Sequence, residues 1–253
     1  MEKIRIYCKN TQQFYEVTPG TSLASFMKEI GANALAAHVD NQLKELSYKL
    51  YMAHSIEFLD YTSSDGRRCY KRSLFFILQK ALHDLYPHKQ FILDYNLPNG
   101  NYGELTDIPI SYNSEDILKI RMETVQELTE EEVAAVKRKM QEIIDANIPI
   151  VRKKMSNDEA VALFQAKKQF CKANLIKSLG CFFVSVYYLG EYADTFYGPM
   201  VHTTGQIKKF NLIKYNKGVC LQFPSHMAPY DLTSVKYQER LYNVFKEHSD
   251  WCK

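Results

Sequence analysis

The stretch "KIRIYCKNTQQFYEVTPGTSLASFMKEIG", Lys3 to Gly31, decides how this chain begins to fold. Two short runs in its first half, KIRIYC and QQFYEV, are rich in the β-branched and aromatic residues of paired strands, with a polar turn between them. The period then changes. Leu23, Phe26, Met27 and Ile30 recur at helical spacing, Thr21 or Ser22 stands where a helix cap belongs, and Gly31 stops the pattern.

Working outward, ALAAHVDNQLKEL reads as a second strand pair turning at Asp40-Asn41, and SIEFLD as a last strand. A ββαββ order with one short helix against a mixed sheet is a β-grasp, or ubiquitin-like, layout over residues 1–60. YTSSDGRR, small and polar with a glycine, reads as a boundary. After it, RRCYKRSLFFILQKALHDLYP sets Leu74, Leu78, Ala81, Leu82 and Leu85 on one helix face, about five turns long, ending before Pro87.

QFILDYNLPNGNYGEL predicts a hairpin around Asn99-Gly100, whereas Asn113 to Glu123 yields no assignment. Thr129 with Glu132 and Ser156 with Glu159 have the spacing of capping boxes, the first ahead of an apolar stripe of Val133, Val136, Met140, Ile143 and Ile144. CFFVSVYYLG is a strand-like run, and Asn216-Lys217-Gly218 turns a hairpin. Residues 65–230 are thus a second α+β domain, followed at 231–253 by an amphipathic helix.

The chain has 253 residues, 46% of them hydrophobic, enough to bury a substantial core. With 32 basic and 29 acidic residues the net charge is only +3, so any contact with a polyanion must be local. No leader or membrane-spanning run stands out, and a cytoplasmic location without membrane contact is expected. The six cysteines form no C-x-x-C pair and read as reduced, mostly buried thiols, and His83, Asp84 and His88 do not share one face as metal ligands would.

Residues 1–59 resemble the TGS domain at the amino terminus of threonyl-tRNA synthetases. YKRSLFFILQKALHDLYP, LTEEEVAAVKRKMQEIIDANIPIVRKKMSNDEAVALF and ADTFYGPMVHTTGQIKKFNL resemble the editing domain that follows it there, the second additional domain. The resemblance implies an H-x-x-x-H pair and a C-x-G-P-H motif for hydrolysing aminoacyl-tRNA. Here the first pair falls on Arg72 and Phe76, and the cysteine and histidine of the second motif on Phe196 and Met200. A guanidinium and three bulky apolar side chains neither take a proton nor hold a borderline metal, so no catalysis and no metal are expected at this pocket. His202 is displaced by two residues from the motif.

RRCYKRSLFFIL, FYGPMVHTTGQI and GVCLQFPSHMAP also resemble the amino-terminal half of bacterial nucleoside kinases of the phosphoribulokinase/uridine kinase family. That resemblance implies phosphorylation of uridine or cytidine with ATP and magnesium in a carboxy-terminal P-loop domain, with this segment regulatory or substrate-binding. The chain contains no Gly-Lys dipeptide and hence no P-loop, so it is expected to be an amino-terminal piece that needs no cofactor itself. The alternative is a freestanding synthetase-derived module that binds RNA, tRNA in particular, or a nucleotide. Arg67, Arg68, Lys71 and Arg72 are its candidate phosphate or RNA contacts; Tyr188, Tyr192, Tyr197 and His202 are candidate linings of a reused pocket for a nucleoside or peptide. Arg152 to Lys154 reads as an ordinary exposed strand.

Overall fold

A computed structural model describes residues 3–98, 100–107, 124–235 and 237–251, with side chains 94, 245, 246, 249 and 250 excepted. Asn99, Cys252 and the unassigned Asn113 to Glu123 lie outside the described residues. By the density of its contacts the chain forms two compact units. The first gathers 1–77, 142–153 and 187–208, and the second 78–141, 154–186 and 209–253.

The opening stretch folds as its pattern requires. Strands β1 (Ile4–Cys8) and β2 (Gln13–Val17) pair antiparallel, Ile4 opposite Val17 and Cys8 opposite Gln13. A two-residue strand β3 (Thr21–Ser22) leads into helix α1 (Leu23–Glu29), whose first turn is capped by Ser22, Oγ accepting from Ser25 N at 3.1 Å. Strands β4 (Ala36–Val39) and β5 (Gln42–Lys44) turn through Asp40 and Asn41 at φ 48° and 64°, which these short polar side chains tolerate better than most. Strand β6 (Lys49–Leu50) pairs with β3, a small ladder the sequence did not reveal.

Strand β7 (His54–Leu59) then inserts parallel to β1, giving the order β2-β1-β7-β4-β5 of a β-grasp. Ile6, Leu23, Phe26, Val39, Leu46, Ile56 and Phe58 fill the space between sheet and helix. Burying each such side chain contributes about 1.5–3 kcal/mol.

The boundary expected at YTSSDGRR is partly helix. Helix α2 (Ser64–Leu85) has 22 residues and begins before the arginines, because Ser63 Oγ accepts from Gly66 N at 3.0 Å. Gly66 is a close-approach residue here, since a Cβ on it would lie 1.8 Å from the Asp60 carbonyl oxygen. Strands β8 (Lys89–Leu97) and β9 (Gly100–Asp107) form the expected hairpin, Leu97 opposite Gly100.

Helix α3 (Glu130–Asp145) carries its capping box, Thr129 N donating to Glu132 Oε2 at 2.8 Å and Glu132 N to Thr129 Oγ1 at 3.2 Å. Val133, Val136, Met140, Ile143 and Ile144 are all buried. Strand β10 (Val151–Ser156) is exposed as expected, and helix α4 (Asn157–Ala166) starts from the Ser156–Glu159 box. Helix α5 (Phe170–Ser178) was not predicted; it buries only Ala173 and Ile176, too few to show a period.

Strand β11 (Phe183–Leu189) and the unforeseen β12 (Tyr192–Thr195) make a sheet ordered β10-β11-β12. A single 3-10 turn, Thr204–Gln206, precedes β13 (Asn211–Tyr215) and β14 (Gly218–Gln222). These two extend the hairpin into the antiparallel order β13-β14-β9-β8. Helix α6 (Glu239–Trp251) ends the described chain, and no described helix is long and apolar enough to cross a membrane.

Candidate functional site

Arg72 and Phe76 are four residues apart on α2 and therefore share a face. Opposite that face the chain leaves β12, passes Phe196, turns at Gly198 and Pro199, and reaches Met200. All these residues belong to the first unit. The structure packs Phe76 against Phe196, ties Arg72 to the turn that leads to Met200, and sets aromatic rings between helix and turn. Phe76 is fully buried, with ring centroids 5.4 Å from Phe196 and 5.7 Å from Tyr192. Phe75 meets Phe196 edge-on at 6.2 Å, and Met200 is buried.

The arginine closes the box on its polar side. Arg72 Nη1 donates to the Pro199 carbonyl, and the guanidinium lies flat enough against Gly198 that a Cβ there would come within 3.0 Å of it. Gly198 has φ 97°, a conformation side chains rarely adopt, so glycine serves both the turn and the arginine. Two residues the sequence did not flag complete the arrangement. Tyr187 Oη is 2.8 Å from the Gly198 carbonyl oxygen and 2.5 Å from Glu45 Oε1 of the β-grasp, donating between them. Arg152 Nη1 lies 3.9 Å from the same carboxylate oxygen.

Burial, then the Glu45 carboxylate, pushes the Tyr187 phenol far above its ordinary range, so it stays a neutral donor. The Cys69 thiol, one turn before Ser73, is pushed up to about 11 by burial, the Arg72 charge opposing the shift. Ser73 Oγ donates to the Cys69 carbonyl at 2.7 Å and accepts from Val201 N at 2.9 Å, which fixes the segment after Met200 to the helix. Chemically this centre offers a neutral phenol, a protonated thiol, a guanidinium and the Glu45 carboxylate, whose Oε1 already accepts from Tyr187 and faces Arg152, while the four motif positions themselves carry no group that takes up a proton. Among the described residues no group of three His, Cys, Asp or Glu side chains is placed to hold a metal.

The other candidate residues are dispersed. Tyr192 is in the box against Phe76, but Tyr197 is 72% exposed beside the turn. Tyr188 stands apart on β11 with Lys153 Nζ 4.7 Å from its ring centroid. His202 is half-buried and held by its backbone, its N–H donating to Gln206 Oε1 and its carbonyl accepting from Ile150 N. Burial and then Lys28 hold its imidazole below the ordinary range.

The four basic residues of α2 do not form one patch. Arg67 Nη1 donates to the carbonyls of Thr62 and Tyr61, closing the helix entrance, while Arg72 faces the box. Arg68 is 69% exposed and 3.2 Å from Asp65, which also meets His38 Nε2 at 3.1 Å. Lys71 is held below its ordinary range by burial and by Arg67. A cavity of about 320 Å³ in the first unit lies instead on the β-grasp, lined by Asn10, Asn33, Glu57, Asp60 and Ser63 among others.

No protein-family profile matches the chain. Curated relatives do. It is 27% identical over 214 residues to the threonine–tRNA ligase of Syntrophotalea carbinolica, covering 84% of this chain and 31% of the ligase. The ligase of Aquifex aeolicus is 28% identical over 214 residues, with the same coverage. That of Cupriavidus necator is 30% identical over 202 residues, 78% of this chain and 29% of the ligase. The chain thus spans about three tenths of the length of the relatives it matches. A nucleoside-kinase parent, expected from the sequence, gains no support from them. The mixed α+β fold and this similarity agree: over about four fifths of its length the chain resembles the amino-terminal region of threonine–tRNA ligases.

Proposed function

We propose that this chain is a synthetase-derived module that binds RNA, tRNA in the first place, without hydrolysing aminoacyl-tRNA at its editing-like pocket. The observation that carries the reading is the packing of Phe76 against Phe196, with Met200 buried and Arg72 bonded to the Pro199 carbonyl. Deacylation requires room for an ester and a group that activates water. Here a fully buried phenylalanine occupies one helical position and a charged guanidinium the other. The similarity to tRNA ligases supports an RNA ligand, and the small net charge of +3 implies contacts through a few local side chains.

The test is paired. Incubated with a mischarged aminoacyl-tRNA, the chain is expected to leave the deacylation rate at its buffer value. In a filter-binding titration it is expected to retain uncharged tRNA, with affinity falling as salt rises. Accelerated deacylation, or no retention at low salt, overturns the reading.

A further inference from the structure

Phe182 and Phe183, the residues entering β11 in the second unit, are 89% and 57% exposed. Two adjacent phenylalanines this open are uncommon without a purpose. Their position is held by the first residue of α4. Asn157 N donates to the Phe182 carbonyl at 3.0 Å, and Asn157 Nδ2 donates to the carbonyls of Cys181 at 3.0 Å and Ile176 at 2.9 Å.

This knot ties the tip to the end of α5 and the start of α4, with one lysine on β10 against a ring and another at the end of α5. Lys154 Nζ is 4.6 Å from the Phe183 centroid, and Lys177 follows Ile176 directly. Both lysines are exposed, and neither is held in an ion pair by the described residues. From Ala160 to Val186 the sequence carries Lys167, Lys168, Lys172 and Lys177 and no Asp or Glu.

From these features we infer that the Phe182–Phe183 tip, with Lys154 and Lys177, docks a single-stranded stretch of RNA, bases stacking on the rings and phosphates meeting the ammonium groups. The inference rests on the RNA-binding reading above and locates it. A strand of RNA answers both features at once, since every base has a π face and every linkage a negative charge. The interfacial helices that lie on lipid present a longer apolar face backed by a polybasic side. Helix α5 has nine residues, and its exposed end mixes Leu175 with Lys177 and Ser178, Leu179 following as the cap.

The experiment is fluorescence anisotropy of a labelled, unstructured oligouridylate titrated with the whole chain, alongside tRNA retention and flotation with phosphatidylserine vesicles. Phe182→Ala with Phe183→Ala is expected to weaken oligouridylate binding about tenfold or more. Lys154→Gln with Lys177→Gln is expected to flatten the log–log salt slope by about 1.4. Far-UV circular dichroism of both variants should match the parent, since all four side chains are exposed. Undiminished RNA binding by the phenylalanine variant overturns the tip and leaves the RNA-binding reading standing. Absence of binding to either RNA overturns both, and vesicle flotation lost with the phenylalanines while RNA binding persists assigns the tip to lipid and overturns the inference.

Discussion

Tyr187 and Glu45, 142 residues apart, share a hydrogen bond of 2.5 Å on the polar side of the closed centre. The carboxylate is only 11% exposed and its nearest cation, Arg152, stands at 3.9 Å. Tyr187→Phe therefore removes the one O–H that Glu45 and the Gly198 carbonyl share, and is expected to cost about 1–3 kcal/mol in urea unfolding. Glu45→Gln added to it should cost less than the sum of the two single changes, because the pair is one interaction. Strict additivity would contradict the coupling.

Gly198→Ala should be destabilising beyond the loss of flexibility. The φ of 97° is strained for alanine, and the new methyl meets the Arg72 guanidinium at 3.0 Å. A loss of about 1–3 kcal/mol is expected. Adding Arg72→Ala should return only the steric share, so the double variant should unfold at a denaturant concentration still below that of the parent.

His202 makes stability depend on acid. Its folded pKa lies below the ordinary 6.5, so the unfolded chain binds its proton first as pH falls. Its contribution is fully present above that ordinary value and is lost as pH drops through the folded one. His202→Gln should reduce the loss of urea-unfolding midpoint between about pH 7 and about pH 5. His83 is shifted the same way by burial and will keep part of the slope.

The cysteines should separate by reactivity. Cys8, Cys69 and Cys220 are buried, and burial pushes the Cys69 and Cys220 thiols up to about 11 and about 12, against intermediate exposure at Cys171 and Cys181. Alkylation of the native chain followed by peptide mapping should modify Cys171 and Cys181 well before Cys69 and Cys220. Fast labelling of Cys69 would mean that the helix α2 face opens.

The β-grasp was legible because each of its signals is local. Ser22 caps α1 from one residue away, and Asp40-Asn41 turns β4 into β5 without distant help. The same holds for Thr129 with Glu132 and Ser156 with Glu159. The four altered positions of the pocket came from the resemblance to the editing domain's two motifs, and helix geometry adds only that Arg72 and Phe76 share a face. What could not be read depends on distant partners. Gly66 resembles a break until the Asp60 carbonyl beside it is known, and nothing near Glu45 in sequence announces Tyr187. In the run VSVYYL the sequence singled out Tyr188 rather than Tyr187, because burial along β11 loses its alternation at Val186 and Tyr187.

The make-up of the first unit from 1–77, 142–153 and 187–208 sets a schedule for the ribosome. The β-grasp core, from Ile6 to Phe58, can condense as soon as its last strand has left the exit tunnel. Phe76 must then wait through more than a hundred further residues for Tyr192 and Phe196 to be synthesised. During that interval the aromatic face of α2 is without those two native partners, and the contacts that complete the first unit can form only once Lys208 has been added.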